Sequence, residues 1–91
     1  MAAVGRNLRL FGRVQGVFFR QWTIDQARAL GVAGWIRNRP DGSLEAHLVG
    51  EQDAVAQLAE RMREGPAQAR VDDVMEDDAE PEEIEGFSVR L

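Results

Sequence analysis

The sequence predicts an α+β two-layer sandwich, one antiparallel sheet with two helices on one face, in the order βαββαβ. Three observations point there. Apolar residues alternate with period two near both ends of the chain and in its middle. Two longer stretches switch to a helical period. Each helical stretch is closed by glycine. The 91 residues suit a single domain, 1–91. A chain this short has little interior to share, which favours two layers around one core.

The elements follow in order. From Asn7 to Val14 the residues Leu8, Leu10, Gly12 and Val14 fall on one side, and Arg9, Phe11 and Arg13 on the other. That is a strand with one polar face. From Phe19 to Leu30 the period lengthens, with Phe19, Thr23, Ala27 and Leu30 on one helical face and Trp22 at its edge. Ile24 falls off that stripe. Gly31 is a good helix stop. Val32 to Asn38 reads as a second strand. Arg39-Pro40-Asp41-Gly42 is turn chemistry, and Ser43 to Val49 alternates again with Leu44, Ala46 and Leu48 inward, so this pair is a hairpin. Val55, Leu58, Ala59 and Met62 mark a second amphipathic helix, with Asp53 as its expected N-cap and Gly65-Pro66 as its end. Ala69 to Met75 is a weaker strand, Glu76 to Glu85 an acidic loop, and Phe87, Val89 and Leu91 a short last strand. This order is that of the ferredoxin-like sandwich.

Composition excludes several classes of function. There is no cysteine, which removes disulfides, thiolate nucleophiles and cysteine-ligated metals. One histidine without cysteine gives no recognisable metal site. No apolar run approaches the roughly 20 residues needed to span a bilayer. The segment from Met1 to Arg6 lacks the basic-then-apolar pattern of a signal peptide, so a cytoplasmic protein without membrane contact is the expectation. The net charge of -5 disfavours nucleic acid as a partner. More than half of the 16 acids lie between Asp72 and Glu85, whereas Arg6, Arg9, Arg13, Arg20, Arg28, Arg37 and Arg39 lie in the first half. A small anion can find a positive site on such an acidic chain.

That site falls where the first strand enters the first helix, at Gly12-Arg13-Val14-Gln15-Gly16-Val17-Phe18-Phe19-Arg20. Backbone N–H groups at a helix start lack partners and carry partial positive charge, so they attract anions. Gly16 lets the backbone approach a ligand closely. Arg20 sits in the first helical turn, where a cation opposes the helix dipole. Its planar fork suits a phosphate; its other reading is a surface arginine. Strand direction brings in Asn38. The first two strands run the same way, so their C-terminal ends share one edge of the sheet. By itself, Asn38 reads as turn chemistry.

Other polar residues carry less. His47 lies opposite the inward leucines and reads as a solvated strand residue. The acids from Glu76 to Glu85 read as solvated, with metal binding as the alternative. Trp22 and Trp35 read as packing residues. Neither Ser43 nor Ser88 has a base partner by spacing.

Three linked blocks, Gly12 to Arg20, Gly34-Trp-Ile-Arg-Asn38 and Asp41-Gly42-Ser-Leu-Glu45, together with Pro66, Val71 and Phe87-Ser-Val89, resemble the acylphosphatase family across nearly the whole chain. The resemblance implies a ferredoxin-like fold, no cofactor, and hydrolysis of small-molecule acyl phosphates to a carboxylate and inorganic phosphate, the latter also an inhibitor. It implies Arg20 as phosphate-binding residue and Asn38 as water-orienting residue. It implies a cradle of backbone amides over Gln15, Gly16, Val17, Phe18, Phe19 and Arg20. Two other readings compete. An RNA-binding sandwich needs exposed aromatics and a basic sheet face, for which Phe11 is one candidate. A regulatory or docking module is compatible with the same fold. An acylphosphatase-like domain also opens larger carbamoyl-transfer maturation proteins, where zinc-binding cysteines follow. The absence of cysteine favours a stand-alone enzyme, and the small acidic chain a monomer.

Overall fold

A computed structural model describes residues 3–91; Met1 and Ala2, which open the segment read against a signal peptide, lie outside the described residues. The elements are β1 (Val4–Arg13), α1 (Phe19–Leu30), β2 (Ala33–Asn38), β3 (Leu44–Gly50), α2 (Gln52–Glu64), β4 (Arg70–Ala79) and β5 (Phe87–Val89). They form one sheet in the order β4-β1-β3-β2-β5. The pairs β1–β4, β1–β3 and β2–β3 are antiparallel. The short edge strand β5 adds to β2 in parallel, so the sheet is mixed at that edge. The βαββαβ frame is thus present, with β4 as its fourth strand and β5 as a fifth.

Both helices cover the same face. Leu8, Leu10, Ile36, Leu44, Ala46 and Leu48 from the sheet form one cluster with Phe19, Ile24 and Ala27 of α1 and Val55, Leu58, Ala59 and Met62 of α2. Burying each large aliphatic side chain stabilises the fold by about 1.5–3 kcal/mol before chain entropy is charged against it. Ile24, off the stripe by sequence, is buried, because α1 packs over a wide face spanning Phe19, Thr23, Ile24 and Ala27. The buried Thr23 hydroxyl donates to the Phe19 carbonyl at 2.8 Å, so burial leaves it paired. Gly31 ends α1, with Val32 N–H reaching the Ala27 carbonyl at 2.9 Å. The cap of α2 differs from expectation. Glu51 occupies the N-cap and makes no side-chain cap bond, whereas Asp53 lies in the first turn, where its charge still favours the dipole.

The acidic stretch is a loop only from Glu80 to Glu85, where its acids are exposed. Glu76 to Ala79 continue β4. Glu76 accepts from Arg6 and from Arg63, each at 2.8 Å, tying β4 to β1 and to α2. Seven residues then connect β4, at one edge, to β5, at the other. Four strand spacings are about 19 Å, and seven extended residues reach about 24 Å. The connector is long enough to cross with a modest margin, and it passes over the helix-free face, where Glu82 meets His47 and Trp35. Among the described residues no group of three or more His, Asp or Glu side chains is placed to hold a metal ion.

His47 lies beneath that connector and is 2% exposed, which overturns its reading as a solvated residue. Alternation placed it on the face away from the helices correctly; what covers that face comes from 35 residues further along. Its Nε2 accepts from the Glu82 backbone N–H at 3.2 Å, and its Nδ1 lies 2.6 Å from Asn7 Oδ1. With Nε2 as acceptor, Nδ1 carries the proton and donates to Asn7. Trp35 stacks on the ring at 6.1 Å and points its indole N–H at the Glu82 carboxylate. His47→Ala removes the packing and strands the Glu82 N–H. The expected cost is about 2–3 kcal/mol. Denaturant unfolding reads the loss, and limited proteolysis should cut first between residues 80 and 86. A variant as stable and as resistant as the parent contradicts the packing role.

Candidate active site

Strands β1 and β2 both run antiparallel to β3, so they run parallel to each other. Leu44 of β3 pairs with Leu10 on one side and Asn38 on the other. The ends of β1 and β2 are therefore at one edge, as strand direction predicts. Asn38 follows the buried Ile36 by two residues and shares its face, towards the helix layer. There the chain leaves β1, bends through Gln15 to Phe18, and starts α1 at Phe19.

The loop is fixed by its side chains and open along its backbone. Val17 and Phe19 are buried in the core, and Phe19 meets Trp22 edge-on at 5.6 Å. Gln15 donates from Nε2 to the carbonyls of Arg39 at 2.9 Å and Ser43 at 3.0 Å, fastening the loop to the β2–β3 hairpin. Among the described residues the backbone N–H groups from Gly16 to Gln21 meet no acceptor of the chain; the first bond of the helix is Trp22 N–H to Phe18 O at 2.9 Å. At Gly16, with φ of 72°, an added Cβ would meet nothing within 4 Å, so that side of the backbone is open to a ligand.

Arg20 and Asn38 line a single cleft of about 440 Å³ together with Gly16, Phe18, Phe19 and Gln21. Of the expected cradle residues, Gln15 and Val17 are fastened by their side chains, the one bonded to the hairpin and the other buried in the core. Val14 and Val89 line the cleft as well, and alternation alone pointed to neither. Val89 reaches the cleft because β5 pairs with β2, Val89 opposite Ile36. No local signal in the sequence announces that pairing.

Among the described residues no carboxylate lies within ion-pair reach of Arg20, and the first turn of α1 holds no acid. Most other arginines near the sheet have partners: Arg9 with Asp41 at 2.8 Å and Arg37 with Glu45. A half-buried guanidinium beside unpaired amides makes a positive cleft suited to a tetrahedral anion. The hairpin next to it is held by Asp41. The Ser43 hydroxyl and backbone N–H bonded to that carboxylate, with the Arg9 charge, hold its pKa below the ordinary value. The turn's support is accordingly full above the usual carboxylate range and lost as pH falls through the lowered value. Ser43 donates its hydroxyl to Asp41 and accepts from Arg9, so it is a turn residue and not a nucleophile.

The acylphosphatase family model matches residues 6–89. An acylphosphatase of Acidiphilium cryptum is 48% identical over 87 residues, 96% of each chain. One of Nitrobacter hamburgensis is 57% identical over 74 residues, 81% of this chain and 75% of that protein. The solved structure of a Coxiella burnetii acylphosphatase superposes with a TM-score of 0.92 at 35% identity, covering 98% of this chain and 94% of that one. Fold and sequence agree, and the chain belongs to the acylphosphatase family, enzymes of the hydrolase class.

Proposed function

We propose that the cleft hydrolyses the carboxyl–phosphate bond of small acyl phosphates. The observation that carries this reading is the meeting of Arg20, Asn38 and the unpartnered amides in one cleft. The phosphoryl group sits on the loop amides and the Arg20 fork, which follow its charge as it spreads in a loose transition state. The Asn38 carboxamide holds a water in line with the bond to the acyl oxygen. The water oxygen bonds to phosphorus as the P–O bond to the acyl oxygen breaks, and one of the water's two protons passes to a phosphoryl oxygen while the other stays on the new P–OH. The leaving carboxylate is a weak base and needs no acid to protonate it. A site without cysteine, paired histidines or a metal then suffices, and one chain supplies all of it, as a cytoplasmic monomer.

The direct test is hydrolysis of acetyl phosphate with and without inorganic phosphate, and with a chelator. Turnover inhibited competitively by inorganic phosphate and indifferent to the chelator is expected. Loss of activity with the chelator refutes the metal-free mechanism.

A further inference from the structure

Phe18 is the N-cap of α1, held at φ 61° and ψ 20°, and is the single non-glycine residue with positive φ among those described. Helix N-caps favour side chains that accept a hydrogen bond, and left-handed backbone favours glycine or asparagine. Phe18 meets neither preference. It makes no side-chain cap bond and is 81% exposed, so it neither caps the helix nor packs in the core. Folding gains nothing from this ring at this backbone angle. Strain kept at the lip of a ligand cleft, with an aromatic ring left in water, marks a binding role.

The rest of the cleft fits the same role. Apart from Arg20, Asn38, Gln21 and the backbone at Gly16, its walls are hydrocarbon: Val14 and Phe19 are buried at its floor, and Phe18 and Val89 are exposed at its rim. Arg20 is the one charged side chain among the lining residues. The cleft, about 440 Å³, is larger than a phosphoryl group fills. With the phosphoryl group on Arg20, the substituent of the leaving carboxylate meets hydrocarbon. A second anionic group on that substituent would find no second cation in the lining.

We propose that Phe18 and Val89 form an acyl-group subsite, and that the substrate class is acyl phosphates with an uncharged, apolar acyl group, aromatic or branched. This rests on the hydrolytic reading of the cleft. Phe18 sets specificity through its ring, and its backbone amide belongs to the phosphate cradle. Comparing two substrates in one variant cancels the cradle's contribution.

The test compares kcat/KM for benzoyl phosphate, acetyl phosphate and succinyl phosphate in the parent, Phe18→Asn and Val89→Ser. Asparagine tolerates the left-handed backbone, so Phe18→Asn removes the ring while keeping the turn. The parent is expected to favour benzoyl over acetyl phosphate by about tenfold or more, with succinyl phosphate no better than acetyl. Phe18→Asn should lower the benzoyl-to-acetyl ratio by about tenfold and Val89→Ser by about threefold, the amounts that lost apolar contact accounts for. Equal ratios in the parent and both variants overturn the subsite while leaving hydrolysis intact. A preference for succinyl phosphate overturns the uncharged class. A parent that hydrolyses none of the three overturns the proposed function and the subsite with it.

Discussion

Arg20→Ala is expected to lower kcat/KM for acetyl phosphate by about a thousandfold, roughly 4 kcal/mol of transition-state stabilisation. The size follows from the setting. Arg20 is half-buried, meets no carboxylate, and is the charged side chain of the cleft. Its attraction for a phosphoryl group is therefore not spent on a neighbour. The loss should appear in both KM and kcat, because the fork binds ground and transition states and binds the second more strongly. Arg20→Lys keeps the charge and loses the paired geometry, and should still fall about a hundredfold. A lysine variant with parental kinetics contradicts the fork. Asn38→Ala divides the roles: kcat should fall about a hundredfold, with inhibition by inorganic phosphate nearly unchanged. Parental turnover in that variant removes Asn38 from the reaction.

The two halves of this site were unequally legible. Arg20 stood out locally, as a cation at a helix start beside a glycine turn. Asn38 became a candidate only through strand direction, and the register, with Leu44 between Leu10 and Asn38, bears out that both strand ends share one edge. Gln15 enters the expected cradle through its backbone amide. That its side chain fastens the loop to the hairpin depends on two carbonyls 24 and 28 residues away, which no local pattern encodes. His47 failed for the same reason on a larger scale. Period two assigns a side chain to a face of the sheet, but whether that face is solvated depends on what else crosses it. The connector from residue 80 to 86 reads as polar and acidic, yet its backbone at Glu82 roofs the histidine. Val89 and the parallel edge strand share this origin: once β4 closes one edge, a short connector must cross to reach the other.

Gly34→Ala is expected to destabilise the fold by about 3–5 kcal/mol, and at about 4–8 °C per kcal/mol to lower Tm by about 15 °C or more. Gly34 has φ of 143°, a region closed to side chains, and an added Cβ would clash with the His47 carbonyl oxygen and lie 3.1 Å from Phe87 Cε2. The oxygen belongs to the neighbouring strand, so it cannot withdraw without opening the β2–β3 ladder. The ring belongs to β5, which holds Val89 at the cleft. Gly31 provides the control. It too has positive φ, 72°, but nothing lies within 4 Å of its added Cβ. Gly31→Ala should therefore cost only the left-handed strain, about 1–2 kcal/mol. If the two variants melt together, close approach at Gly34 is not what holds β2 in place. If Gly34→Ala melts far lower, it should also lose hydrolytic activity at temperatures where it is still folded. Any shift of β2 moves Asn38, four residues on, against an Arg20 anchored separately through Phe19 in the core.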